Sequence, residues 1–206
     1  MLMYGLPTTT IINKPLYKKA LFEKYNMKEP EIFNADISRL VLLARISSAT
    51  VPALKPGAEM EGFYVMQVVL KHKNYDVKSF VLLRKLIPQD LVFALQYEDE
   101  TQFFIFHSSY HLHTEWMPTE EATIPLQGIT IDDAWQNIIA TIGQLEANAD
   151  KSLEEQLHER EHREHLLSQI EVLEKRCRTE KQTRRKYELH KQLQIYLMEI
   201  DNLGKE

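Results

Sequence analysis

Hydrophobic positions change their period repeatedly along the first three quarters of the chain, and each change marks an element. Pro7, Asn13 and Pro15 punctuate the opening. Leu16, Ala20, Leu21 and Phe22 then recur at helical spacing among Lys18, Lys19, Glu23 and Lys24, which predicts a helix over 14–25. A short helix is expected at 29–35, and the run SRLVLLARIS at 38–47 reads as a buried strand. Pro52, Pro56 and Gly57 force a turn before GFYVMQVVLK, a strong strand at 62–71. Val77, Phe80, Val81, Leu83 and Leu86 return to helical spacing and Pro88 ends that helix. DLVFALQY and TQFFIFH, joined by Glu98, Asp99 and Glu100, predict a β-hairpin over 90–107. An irregular return over 112–128 contains Trp116, Pro118 and Pro125. A helix over 131–145 with Trp135, Ile138, Ile139, Ile142 and Leu145 on one stripe then closes a mixed α/β domain with a central sheet.

The last quarter behaves differently. From Leu153 to Leu203 there is no Gly and no Pro, and Glu, Gln, Lys, Arg and Leu dominate, so the segment is expected to be one long helix or a helical hairpin. A continuous helix of that length would run about 75 Å at ~1.5 Å per residue and would need a partner for its apolar positions. Leu166, Ile170, Leu173 and Cys177 follow 4-3-4 spacing, and Leu189, Leu193, Tyr196, Ile200 and Leu203 follow 4-3-4-3 spacing. The two sets differ in phase by two heptad positions. Either the helix breaks or bends between Thr179 and Arg185, or a stutter rotates the seam. The expected division is a globular domain at 1–148 and a coiled-coil-like tail at 149–206, with the boundary near 146–152. Leu166, Ile170, Leu173, Leu189, Leu193, Tyr196 and Ile200 are the expected partner-binding positions.

Composition narrows the function classes. The chain has 206 residues, a formal charge of -5 and 44% hydrophobic residues, enough to fill one core and with no whole-molecule basic field. The charge is unevenly placed: between Glu174 and Lys191 eight Lys or Arg stand against three Glu. Lys175, Arg176, Arg178, Lys181, Arg184, Arg185, Lys186 and Lys191 wrap around the helix, so only part of the set can face a duplex at once. Cys177 is the only cysteine, which excludes an internal disulfide and a cysteine-based zinc site and fits a reducing cytoplasm. No run approaches the ~18 apolar residues that span a bilayer, and the opening lacks a signal-peptide pattern, so an unprocessed cytoplasmic protein is expected.

Candidate chemistry is sparse. Gln67, Val69 and Lys71 lie on a strand followed by a helix and another strand, an arrangement similar to nucleases that hold a metal and a water with an acidic or Gln residue and a Lys two positions later. The spacing fails, because Val69 stands where a partner of either Gln67 or Lys71 is needed, and no upstream Asp is identifiable. His107, His111 and His113 with Glu115, and His158, His162 and His165 on one helical face, offer ligand types. Solvated or partly buried histidines are the expectation for both. No Gly-rich phosphate loop or Ser or Cys nucleophile motif occurs. No catalytic residue, metal ligand or cofactor site is assigned.

Three stretches together resemble a bacterial family called domain of unknown function 4391: GLPTTTIINKPLYKKALFEKY, then YVMQVVLKHK with IPQDLVFALQYEDETQFFIFH, and EKQTRRKYELHKQLQIYL. The resemblance spans most of the chain and rests on the opening Leu6-Pro7, the Asn13-Lys14-Pro15 step and the basic tail leading into leucines. It implies an accessory protein found beside helicases and DNA methyltransferases in restriction-like or anti-phage gene clusters. It also implies an acidic and a basic residue on the central strand, where this chain has Gln67 and Val69. The expected function is a non-enzymatic accessory or assembly subunit of a bacterial DNA-processing system that binds a protein partner, such as a helicase or DNA methyltransferase, through its tail. Self-association through the tail is a further expectation. The alternative is a nucleic-acid-binding module using 175–191, and a third is an inactive nuclease-like domain.

Overall fold

The computed structural model describes residues 3–146 and 151–203. The chain divides into two compact units, 1–147 and 148–206. The boundary expected at 146–152 falls largely on 147–150, outside the described residues.

The first unit is built on a mixed sheet. Its strands are β1 (Ile11–Leu16), β2 (Ile37–Ser47), β3 (Gly62–Leu70), β4 (Leu91–Tyr97), β5 (Glu100–His107), β6 (Tyr110–His113) and β7 (Met117–Pro118). They lie in sequence order from β1 to β6, with β7 on β5. Every neighbouring pair is antiparallel except β3 and β4, which run parallel because helix α3 (Val77–Leu86) carries the chain back over the sheet. Strands buried on both faces have no polar side to alternate with, which is why GFYVMQVVL and LVFAL are almost wholly apolar.

One face of the sheet packs under α1 (Lys18–Glu23), α2 (Glu31–Asp36) and α3. Phe22, Phe33, Phe80 and Leu83 from those helices meet Leu40, Met66, Val68, Phe93 and Phe104 in one buried cluster. Phe22 and Phe33 contact edge-to-face with ring centres 5.0 Å apart, as do Phe80 and Phe93 at 5.6 Å. The other face is covered by α4 (Ile131–Gly143) and the opening segment, with Phe63 against Trp135 at 5.0 Å and Tyr4 against Phe103 at 5.5 Å. The result is a three-layer unit, helix over sheet over helix.

The mixed α/β class with a 90–107 hairpin is what the periodicity implied. The opening helix is shorter than expected. Lys14, Pro15 and Leu16 pair with Leu42, Val41 and Leu40 as the edge strand, and the helix begins only at Lys18. The reason is local: Pro15 holds Lys14 in extended backbone, and Asn13 at φ 49° makes a bulge that an edge strand tolerates.

The second unit is an antiparallel helical pair, α5 (Leu153–Thr179) and α6 (Thr183–Leu203). Ser152 and Glu155 form a capping box that starts α5. The chain reverses across Glu180, Lys181 and Gln182 without glycine: Glu180 leaves the helical region at ψ 127°, and its carboxylate accepts from the Gln182 N–H at 2.8 Å. The tail is therefore the hairpin of the two architectures the sequence allowed.

Candidate functional site

The two phases of the tail have a simple origin, because each belongs to its own helix. Folded back on each other, Ile170 and Leu173 of α5 meet Leu193 of α6 in a buried cluster flanked by Leu189, Tyr196 and Ile200. Leu166 and Cys177, on the same stripe of α5, are also buried. The His162 Nε2 and Glu199 Oε1 atoms sit 3.0 Å apart across the pair and fix its register. The seven positions expected to bind a partner thus line the inner seam of the hairpin, and in the closed hairpin they serve to hold α5 on α6. Heptad spacing identifies a helix-facing stripe but does not say whose helix it faces.

The opposite side of α6 carries a second stripe. Tyr187, Ile195 and Met198 are 71%, 53% and 66% exposed, and at ~100° per residue they lie on the side of α6 away from Leu189, Leu193, Tyr196 and Ile200, roughly 130–170° from the centre of that seam. Lys191 falls within this stripe and Lys186 lies nearer the seam. Spacings of 8 and 3 residues hide the stripe in sequence, because Lys191 interrupts it.

The basic run splits into paired and unpaired cations. Lys175 bonds Glu171 at 2.7 Å, and Arg178 and Arg184 lie 3.5 and 3.6 Å from Glu174 and Glu188, all within one helical turn. The Lys175 ammonium, through its hydrogen bond and its charge, holds the Glu171 carboxyl below its ordinary value. Arg176, Lys181, Arg185, Lys186 and Lys191 have no carboxylate partner among the described residues. They gather around the turn of the hairpin and the first half of α6, so the unpaired part of the run is concentrated at one end.

A polar cluster also forms at the start of β2. Asp36, 4% exposed, is the one charged residue buried in the core among the described residues, and its Oδ2 accepts from the Ser79 hydroxyl at 2.8 Å and the Asp76 N–H at 3.1 Å. Lys71 at the end of β3 lies beside it: its N–H donates to the Asp36 carbonyl at 2.8 Å and its ammonium to the Asn34 carbonyl. His72 Nε2 is 3.7 Å from Asp36 Oδ1. An upstream Asp next to Lys71, which sequence reading does not find, therefore exists.

That Asp does not make a metal site. One Asp36 oxygen is committed to docking the N-terminus of α3, the Lys71 ammonium closes the carbonyl end of α2, and Val69 supplies no oxygen. Among the described residues no group of three His, Cys, Asp or Glu is placed to hold a metal ion. Gln67 is buried and donates to Gln96 Oε1 at 2.6 Å. The expected histidine groups disperse into separate contacts: His111 stacks on Phe104 at 6.0 Å, His113 Nδ1 lies 3.1 Å from the Thr114 carbonyl, and His165 meets Gln169 at 3.2 Å.

The described residues thus form a three-layer mixed-sheet unit and a two-helix hairpin. The chain belongs to the family described as domain of unknown function (DUF4391), whose model matches residues 4–200 and so covers both units. No curated protein and no solved structure matches the chain. No helix among the described residues is long and apolar enough to cross a membrane.

Proposed function

We propose that this protein is a non-enzymatic accessory subunit of a bacterial cytoplasmic DNA-processing system, and that it docks a protein partner on the outer face of α6. The exposed stripe of Tyr187, Ile195 and Met198, opposite the seam, carries this reading. Large apolar side chains on an otherwise charged helix cost solubility unless something covers them. Lys191 within the stripe favours a partner that presents an apolar groove with an acidic rim, which also raises the encounter rate. In this account the seam keeps the two helices together and the outer stripe makes the contact.

The test is capture of a co-expressed helicase or DNA methyltransferase by the tagged full chain. The Ile195→Asp/Met198→Asp double variant is expected to lose the partner while its helical circular dichroism stays unchanged. Retention of the partner by that variant would sink the proposal.

A second reading is favoured by the unpaired cations at the turn. Arg176, Lys181 and Arg185 suit phosphate contact, and neutralising Lys181 and Arg185 to Gln should flatten the salt dependence of duplex binding by ~0.9 in log–log slope for each phosphate that is no longer neutralised. Binding that does not respond to salt would exclude it.

A further inference from the structure

β1 forms one edge of the sheet and is exposed along nearly its whole length. Its free side offers no continuous ladder to another strand, because Asn13 breaks the register between Ile11 and Lys14 and Pro15 has no N–H to donate. Strand addition by a peptide or a second copy is therefore not what this edge is built for.

It presents instead an aromatic ring beside a cation. Tyr17 is 78% exposed and keeps extended backbone (φ -79°, ψ 117°) where β1 passes into α1. Leu16 pairs with Leu40, so one step further the antiparallel register sets Tyr17 beside Arg39. Arg39 in turn pairs with Val69, and Val69 with Gln96. Leu16, Leu40 and Val68 pack in the cluster under α1, α2 and α3, so by alternation Tyr17, Arg39 and Val69 lie on the opposite face, the one that carries Gln67 and Tyr4. Tyr17 and Arg39 are exposed and Val69 and Gln96 half-buried, which leaves this row as an open strip of that face.

The strip is positive. Between Lys14 and Lys28 five lysines stand against one Glu, in a chain whose net charge is -5. Arg39, and Lys14 on the other face of β1, are exposed and have no ion-pair partner among the described residues. An exposed ring beside an unpaired guanidinium suits a ligand that carries both flat rings and negative charge. In a duplex the base faces are stacked on one another, whereas a single strand offers them to Tyr17. An acidic peptide or an anionic bilayer would satisfy the cations and leave Tyr17 nothing to stack on. We propose that this strip binds single-stranded nucleic acid, with a base stacked on Tyr17 and phosphates held by Arg39 and, where the strand passes over the β1 edge, by Lys14. The proposal rests on the first unit alone and is independent of docking by α6 and of the cations at the hairpin turn.

The experiment is fluorescence anisotropy of labelled oligothymidylate and oligouridylate of about 12 nucleotides with the full chain, against a duplex of equal length and polyglutamate as a competitor. Saturable binding of a single strand is expected, at least about fivefold tighter than the duplex and not displaced by polyglutamate at equal charge. The tighter of the two strands distinguishes DNA from RNA. Tyr17→Ala should weaken binding about tenfold, roughly the loss of one stacked base, and Tyr17→Phe should keep it within about twofold of the parent. Arg39→Gln should lower the log–log salt slope by ~0.7, one single-strand phosphate contact. Lys181→Gln/Arg185→Gln should leave single-strand binding unchanged. Absence of saturable binding, a duplex bound as tightly, displacement by polyglutamate, parent-like binding by Tyr17→Ala, or loss of binding only in the Lys181→Gln/Arg185→Gln chain would each overturn the proposal.

Discussion

Asp36 shows how a single side chain can carry a chemical look and a structural job. It lies next to Lys71 and His72, but its Oδ2 serves Ser79 and the backbone of Asp76. Asp36→Ala should therefore cost about 2–4 kcal/mol in urea unfolding, since it strands a buried hydroxyl and an N–H together. A cost near zero would mean the carboxylate is held there for something other than the fold. Tyr4 makes the converse case. Tyr4→Phe removes a hydroxyl that bonds nothing in the described protein, so stability should be unchanged or should rise by up to about 1 kcal/mol. Neither role was legible in the sequence. Asp36 lies 35 positions before Lys71, and only the antiparallel pairing of β2 with β3 brings them together. Tyr4 reads as an ordinary residue of a Pro-punctuated leader, and only its left-handed backbone (φ 55°) and its contact with Phe103 mark it as core.

At the scale of elements, the starts of helices fix loops as well as helices. Asp132, in the first turn of α4, accepts from the N–H groups of Ala58, Glu59 and Met60 at 2.6, 3.1 and 3.1 Å, tying the turn before β3 to the helix. The Glu59 N–H foremost, with those of Ala58 and Met60, holds its carboxyl below the usual value of 3.8. A folded-state pKa below the unfolded one gives stability that is fully present above the unfolded value and is lost as pH falls through the folded value. Asp132→Asn should thus lower the melting temperature at neutral pH, and its difference from the parent should shrink as pH drops below 3.8. Gly57 belongs to the same arrangement, since a Cβ there would collide with the Asp132 carboxylate.

Periodicity made the helices and strands readable, because their apolar faces are long and regular. It misplaced residues 14–16, where a proline-directed bulge overrode helical spacing, and it left open what the tail seam faces. A seam closed by the chain's own second helix and one closed by another chain have the same sequence signature. The outer stripe of α6 was missed for a related reason, as Tyr187, Ile195 and Met198 are too few to register as a pattern until the seam is known to be spent.

At the scale of the whole molecule, the two stripes of α6 make opposite predictions. Leu193 is buried between the helices, so Leu193→Asp should open the hairpin and reduce helical circular dichroism. Failure of that variant to bind a partner would follow from unfolding and would say little about contact. Ile195 and Met198 point away from the seam, so charges there should leave the helix content untouched. The measurement that bears most directly on the proposed docking role is therefore quantitative co-purification of a co-expressed helicase or DNA methyltransferase with the parent chain and with Ile195→Asp/Met198→Asp, each checked for helix content. The account predicts capture by the parent and its loss in the double variant at unchanged helicity. Equal capture by both proteins would contradict it.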